Sequence, residues 1–287
     1  MKPQIKQIRD YLNMSQTELA EQLNVTFATV NRWENGRAVP NKLAQTKLYE
    51  ICKKNDVPVY DITLNRIAAA AENVPISEGR VLLYHGSKSG IKGKIEPKAA
   101  LNAISGRAGT DPSQALTLIC DYDKSKFYIV SVDTTDQKTI EVPADIEWAM
   151  LVAYHRGRME TIKGTPLYEK YRKMSENKDI VIGSIANDRM FYVIDNFFIG
   201  NITDAALVGS LSALQLGKQY VAVTQKGCDA VRIEAEIELS HLERLFIQEV
   251  AEANRAKGVS LANSICKNYR RKGLFFDEIL EKAQNGG

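Results

Sequence analysis

A chain of 287 residues with 44% hydrophobic and 25% charged side chains has room for about two domains and an ordinary globular composition. Its formal net charge of +3 argues against a general polyanion binder, and no apolar run approaches the ~20 residues that span a bilayer. Cys52, Cys120, Cys228 and Cys266 form no CxxC pair, so no metal site is expected, and with no apolar leader the reading is cytoplasmic.

The first segment predicts short helices in quick succession. Ile5, Ile8 and Leu12 give one apolar face, and Ser15-Gln-Thr-Glu18 is a capping box that starts the next helix. Leu19, Ala20 and Leu23 form its buried side. Asn24-Val25 makes a short turn, Thr26 caps a third helix with Val30 and Trp33 inward, and Gly36 ends it. Pro40 precedes a further helix carrying Leu43, Leu48, Ile51 and Cys52. Four lysines between Lys42 and Lys54 make this end of the chain locally basic. Residues 1–56 are thus expected to form an all-α helix-turn-helix domain, with 57–78 as a connector holding one helical stretch.

From Gly79 the texture changes. Val81 to Tyr84 reads as a buried strand that ends at His85-Gly86-Ser87. Asp111-Pro112 starts a helix, Phe127 to Val132 alternates as a strand, and Ala144 to Arg156 is helical. Ile180 to Ile182, Gln219 to Thr224 and Val231 to Ile233 supply further strands, with helices expected over 188–198 and 204–214. Ser240-His-Leu-Glu243 is a second capping box, and Gly258 is a stop signal. Residues 79–235 are therefore read as an α+β domain and 236–287 as a C-terminal helical extension.

The spacing of the second and third helices suits a major groove, and the face of the third helix left outside offers Phe27, Ala28, Asn31 and Arg32. Arginine can bridge guanine O6 and N7, asparagine can pair with adenine, and small or aromatic groups can meet a thymine methyl. The stretch SQTELAEQLNVTFATVNRWENGRAVP resembles the Cro/CI-type helix-turn-helix family. The resemblance implies binding of double-stranded DNA, with Gln16 and Arg37 on phosphate and Phe27, Ala28 and Arg32 toward bases. A homodimer would match a palindromic site.

In the larger domain, His85, Gly86 and Ser87 place a ring donor, a bare backbone and a hydroxyl where a strand emerges. Taken alone, YHGS is a weak signal that reads first as a strand end followed by a turn. The wider set VLLYHGSKSGIKGKI, GTDPSQALTLICD, IEWAMLVAYHRGRM, DIVIGSIANDRMFYVIDNF and LGKQYVAVTQKGCDAVRI resembles an ADP-ribosyltransferase-like family of unknown function. Its bacterial members are often joined to helix-turn-helix domains. The resemblance implies a split β-sheet clasping NAD, and transfer of ADP-ribose to a macromolecular acceptor through an oxocarbenium-like state. It gives His85 and Gln219 catalytic roles, with His85 holding ribose. Gly86, Ser87, Asn187, Asp188 and Arg189 are candidate cofactor contacts, although Asn187 and Asp188 serve equally as a helix start.

One part of the family pattern is missing. Relatives carry a Gly-Phe-Tyr loop before the stretch matching Gly109-Thr110-Asp111-Pro112, whereas Pro97 to Gly109 here holds no aromatic residue. Two functions follow as expectations. One is a DNA-binding toxin or defence effector, of toxin–antitoxin type, whose transferase is impaired or was silenced. The other is a transcriptional regulator whose large domain binds a nucleotide or a partner without reaction.

Overall fold

A computed structural model describes residues 4–87, 89–97, 107–116, 126–143, 145–155, 159, 163–185, 193–194, 197, 207 and 217–269. It opens with α1 (Ile5–Tyr11), α2 (Gln16–Leu23), α3 (Phe27–Glu34) and α4 (Lys42–Lys54). The capping box at α2 is formed: the Glu18 N–H donates to Ser15 Oγ at 3.2 Å and the Ser15 N–H to Glu18 Oε2 at 2.7 Å. Asn24 closes α2 in the left-handed region, φ 55°. Thr26 caps α3, and Gly36 at φ 69° lets the Arg37 N–H return to the Arg32 carbonyl at 2.9 Å. Ile8, Leu19, Val30, Trp33 and Leu48 fill the core between these helices. Leu43 lies in the first turn of α4 and is 68% exposed.

The segment 57–78 does more than connect. Most of it is α5 (Val59–Glu72), and its two ends belong to different cores. Val59 packs with the first four helices, whereas Ile67 and Ala71 pack with the sheet that follows. Burial at both ends makes α5 a shared strut.

The sheet contains β1 (Arg80–Ser87), β2 (Arg107–Gly109), β3 (Lys126–Asp133), β4 (Thr139–Glu141), β5 (Ile180–Ser184), β6 (Lys218–Ala222) and β7 (Val231–Ile237). Its order is β4-β5-β6-β2-β1-β3-β7, with only β4 and β5 parallel. Among the described residues, four further helices lie between strands: α6 (Pro112–Leu116), α7 (Ile146–His155), α8 (Pro166–Glu176) and α9 (Gln225–Asp229). The strands form two small groups, β4-β5-β6-β2 and β1-β3-β7, joined among the described residues at the register pair Tyr84↔Gly109. Trp148, Tyr171 and Val181 anchor the core of the first group. Leu116, Phe127, Ile129 and Ile247 anchor one face of the second.

Several boundaries differ from the sequence expectation. His85 to Ser87 lie inside β1, because eight residues pair with β3, from Arg80↔Asp133 to Ser87↔Lys126. The last strand extends to Ile237, four residues past Ile233, again through pairing with β3. The final helix, α10 (His241–Tyr269), runs through Gly258. A single helical glycine costs only about 1 kcal/mol, so the flanking turns carry it. The helices expected over 188–198 and 204–214 lie outside the described residues except at 193, 194, 197 and 207.

Candidate nucleic-acid interface

Helix α3 turns Val30 and Trp33 into the core, so its outer side faces away from the molecule. Phe27, 52% exposed, lies there with exposed Ala28 and Arg32, and Arg37 is exposed in the loop beyond. A phenyl ring left this open gains nothing from the core, which makes it an available contact.

Gln16 and Asn31 are placed differently. Both are half-buried and tied into a polar chain linking three helices. Arg9 donates to Glu34 Oε1 at 2.6 Å, Gln16 Nε2 donates to Glu34 Oε2 at 2.6 Å, and Asn31 Nδ2 reaches Gln16 Oε1 at 3.4 Å. Burial pushes the Glu34 carboxyl upward, but the hydrogen bonds from Arg9 and Gln16 and the charges of Arg9 and Lys6 outweigh it. The group stays below the ordinary carboxylate range. Glu34 therefore remains an acceptor near neutrality and holds the Gln16 amide at the start of α2. Arg9 and Glu34 did not stand out in the sequence, since nothing local couples positions 25 residues apart.

The same domain is held from behind by α10, another contact without a sequence signal. The Leu242 N–H donates to Gln45 Oε1 at 3.0 Å in a buried site, and Gln45 Nε2 donates to the Pro40 carbonyl at 2.7 Å. The Tyr49 and Phe246 rings meet edge-on at 4.9 Å. Glu249 accepts from the Tyr49 hydroxyl and pairs with Lys53. The second capping box is formed as well, and its Glu243 accepts from Arg66 at 2.8 Å and Thr63 at 3.3 Å. Buried Glu243 thereby joins α10 to α5.

In the mixed domain, His85 and Ser87 lie on β1, with buried Gly86 between them. The His85 ring is 6.2 Å from that of its cross-strand partner Tyr128. Gln219 is buried in β6, and its Oε1 has no hydrogen-bond partner among the described residues. Its row runs Gly183–Gln219–Gly109–Tyr84, so Gln219 shares a face with Tyr84. His85, one residue along, lies on the opposite face with Leu83 and Tyr128. The structure therefore does not bring His85 and Gln219 together. Those two residues do not fit a clasp around one nucleotide ribose. Asn187, Asp188 and Arg189 lie outside the described residues.

Asp179 accounts for much of the polar structure near β6. It accepts from the Lys138 N–H at 3.0 Å and the Thr224 hydroxyl at 2.8 Å, and these bonds hold its carboxyl below the usual range. Its carbonyl lies so close to Gly227 that a Cβ there would meet it at 2.2 Å. This cluster fastens α9 to β5 and needs no ligand to explain it.

No helix among the described residues is long and apolar enough to cross a membrane. No curated protein and no solved structure matches the chain. Residues 113–233 match a family described as a protein of unknown function (DUF3990), which carries no activity with it. Residues 5–62 match the helix-turn-helix family, spanning α1 to the start of α5, and this match, with the open face of α3, suggests DNA binding.

Proposed function

We propose that this protein is a sequence-reading DNA-binding regulator that lays α3 in the major groove. The supporting observation is the division of labour on α3: Val30 and Trp33 hold the helix, while Phe27, Ala28 and Arg32 are left outside. Arg32 reads a base edge, Phe27 and Ala28 meet thymine methyls, and Arg37 and the Gln16 amide contact phosphate. Asn31, bonded to Gln16, acts chiefly by orienting that amide. Selection of bound sequences from a random duplex pool tests this reading. Enrichment of one motif by the full chain is expected, with the preference relaxed at one position in Arg32→Ala; retention of all sequences alike overturns it.

For the mixed domain, the ADP-ribosyltransferase resemblance supports a nucleotide-binding role with NAD as ligand. A transferase effector role is the weaker form of this reading, since His85 and Gln219 face apart and Pro97 to Gly109 lacks an aromatic residue. Calorimetry with NAD, followed by transfer of label from NAD to protein or nucleic acid, separates the forms. Binding without transfer is expected, transfer restores the effector, and absence of binding removes NAD.

A further inference from the structure

Asn35 follows the last turn of α3, and its exposed side chain is tied back onto the helix. Its Nδ2 donates to the Asn31 carbonyl at 2.8 Å and lies 3.2 Å from Asn31 Oδ1. Asn31 Nδ2 in turn reaches Gln16 Oε1, and Gln16 Nε2 donates to Glu34. Three amides therefore run in series from Glu34 to the end of α3.

The direction of this series is fixed from both ends. The ionised Glu34 carboxylate and the Asn31 carbonyl can only accept, so each draws an amide nitrogen, one from Gln16 and one from Asn35. Gln16 must then turn its oxygen to Asn31 Nδ2, and Asn31 its oxygen to Asn35 Nδ2. The two ends agree. Turning any one amide over would set nitrogen against nitrogen or oxygen against oxygen. Asn31 is thus held at both amide atoms, by Gln16 of α2 and by Asn35 one turn further along. Recognition of adenine by asparagine uses those same two atoms, turned together onto the base edge.

We propose that Asn35 is a positioning residue for sequence preference, keeping Asn31 bonded within the protein and off adenine. The proposal rests on the DNA-reading role of α3 and sharpens it: α3 reads its site without an asparagine–adenine pair. The Asn35 side chain is not needed by the helix itself. Its backbone N–H also donates to the Asn31 carbonyl, at 3.1 Å, and its φ of −86° suits alanine. Asn35→Ala therefore removes the hold and leaves α3 in place.

Selection from a random duplex pool compares the native full chain, Asn35→Ala and the double variant Asn31→Ala, Asn35→Ala. In Asn35→Ala one position should gain adenine, favoured about five- to 150-fold over other bases, the scale of one bidentate pair. The double variant should lose that gain. A merely structural Asn35 would lower affinity and leave the motif as it was, so an unchanged motif in Asn35→Ala overturns the proposal. A gain that persists in the double variant overturns it too, since the introduced methyl would then be meeting the base. A native chain that enriches no motif overturns the DNA-reading role and, with it, the effect on preference. Side-chain 15N relaxation on the free full chain tests the hold by itself. The Asn31 carboxamide should be rigid in the native chain and mobile in Asn35→Ala; equal mobility in both overturns the proposal whether or not DNA binds.

Discussion

The Arg9 guanidinium lies 2.6 Å from the Glu34 carboxylate and ties α1 to the last turn of α3. The Glu34 side chain is only 4% exposed, so this pair is largely withdrawn from water. Removing one partner from such a pair strands the other charge, whereas removing both does not. Arg9→Met is therefore expected to destabilise the helix-turn-helix by about 3 kcal/mol. The double variant Arg9→Met, Glu34→Leu should recover most of that loss. Urea unfolding followed by Trp33 fluorescence measures both, and equal losses would sink the stranded-charge account.

The same pair predicts a pH dependence. Glu34 is depressed in the folded chain, so its contribution is fully present above the unfolded carboxyl value of ~4.3. That contribution is lost as pH falls through the lower folded value. Unfolding midpoints of the native chain should thus drop below about pH 4, and more steeply than those of the double variant. Parallel curves for the two proteins would show that Glu34 carries no linkage.

On DNA, the exposed arginines should separate by role. Arg32→Ala is expected to cost about 1–3 kcal/mol on the preferred sequence and to relax the preference at one position. Arg37→Ala should weaken binding to all sequences alike and lower the salt slope by about one. Fluorescence anisotropy across a salt series distinguishes them. A uniform loss with Arg32→Ala would reassign that residue to the phosphates.

The helix-turn-helix was legible because its signals are local. Ser15 and Glu18 cap within four residues, Gly36 stops α3 at once, and the apolar spacing of Leu19, Val30 and Trp33 repeats within single helices. The polar chain through Glu34 was not legible, because Arg9 and Glu34 meet only after α1 folds back on α3. The three-residue strands Arg107–Gly109 and Thr139–Glu141 are too short to show a period. They exist because longer neighbours pair with them. His85 and Gln219 were found as residue types in suggestive places, but their facing depends on register across β2. The seam between Gln45 and Leu242 joins positions nearly 200 apart in the chain, beyond the reach of any periodic signal.

Cys52 gives a chemical prediction. It is a free thiol, fully buried in the helix-turn-helix core, and burial pushes its pKa up to about 12. The reactive thiolate is then nearly absent at pH 8. Iodoacetamide at pH 8 should leave Cys52 unmodified in the native chain and alkylate it once urea unfolds the domain, as read by peptide mass spectrometry. Rapid native alkylation would mean that the α4 face opens far more readily than its packing implies.

Gln45 decides how firmly the DNA-binding helices are joined to the remainder of the chain. Its amide is 8% exposed and serves two backbone groups at once, accepting from the Leu242 N–H and donating to the Pro40 carbonyl. Gln45→Ala strands both groups, at about 1–3 kcal/mol each. Gln45→Glu keeps the acceptor and loses the donor, so it should restore the Leu242 bond while leaving Pro40 unserved. Hydrogen exchange separates these effects from a general loss of stability. In Gln45→Ala, amides at the start of α10 should exchange faster than those of α2, whose own capping box is untouched. In Gln45→Glu, protection at Leu242 should return first. If α2 and α10 instead lose protection together in Gln45→Ala, the seam is no separate unit, and the helix-turn-helix and α10 open as one cooperative body.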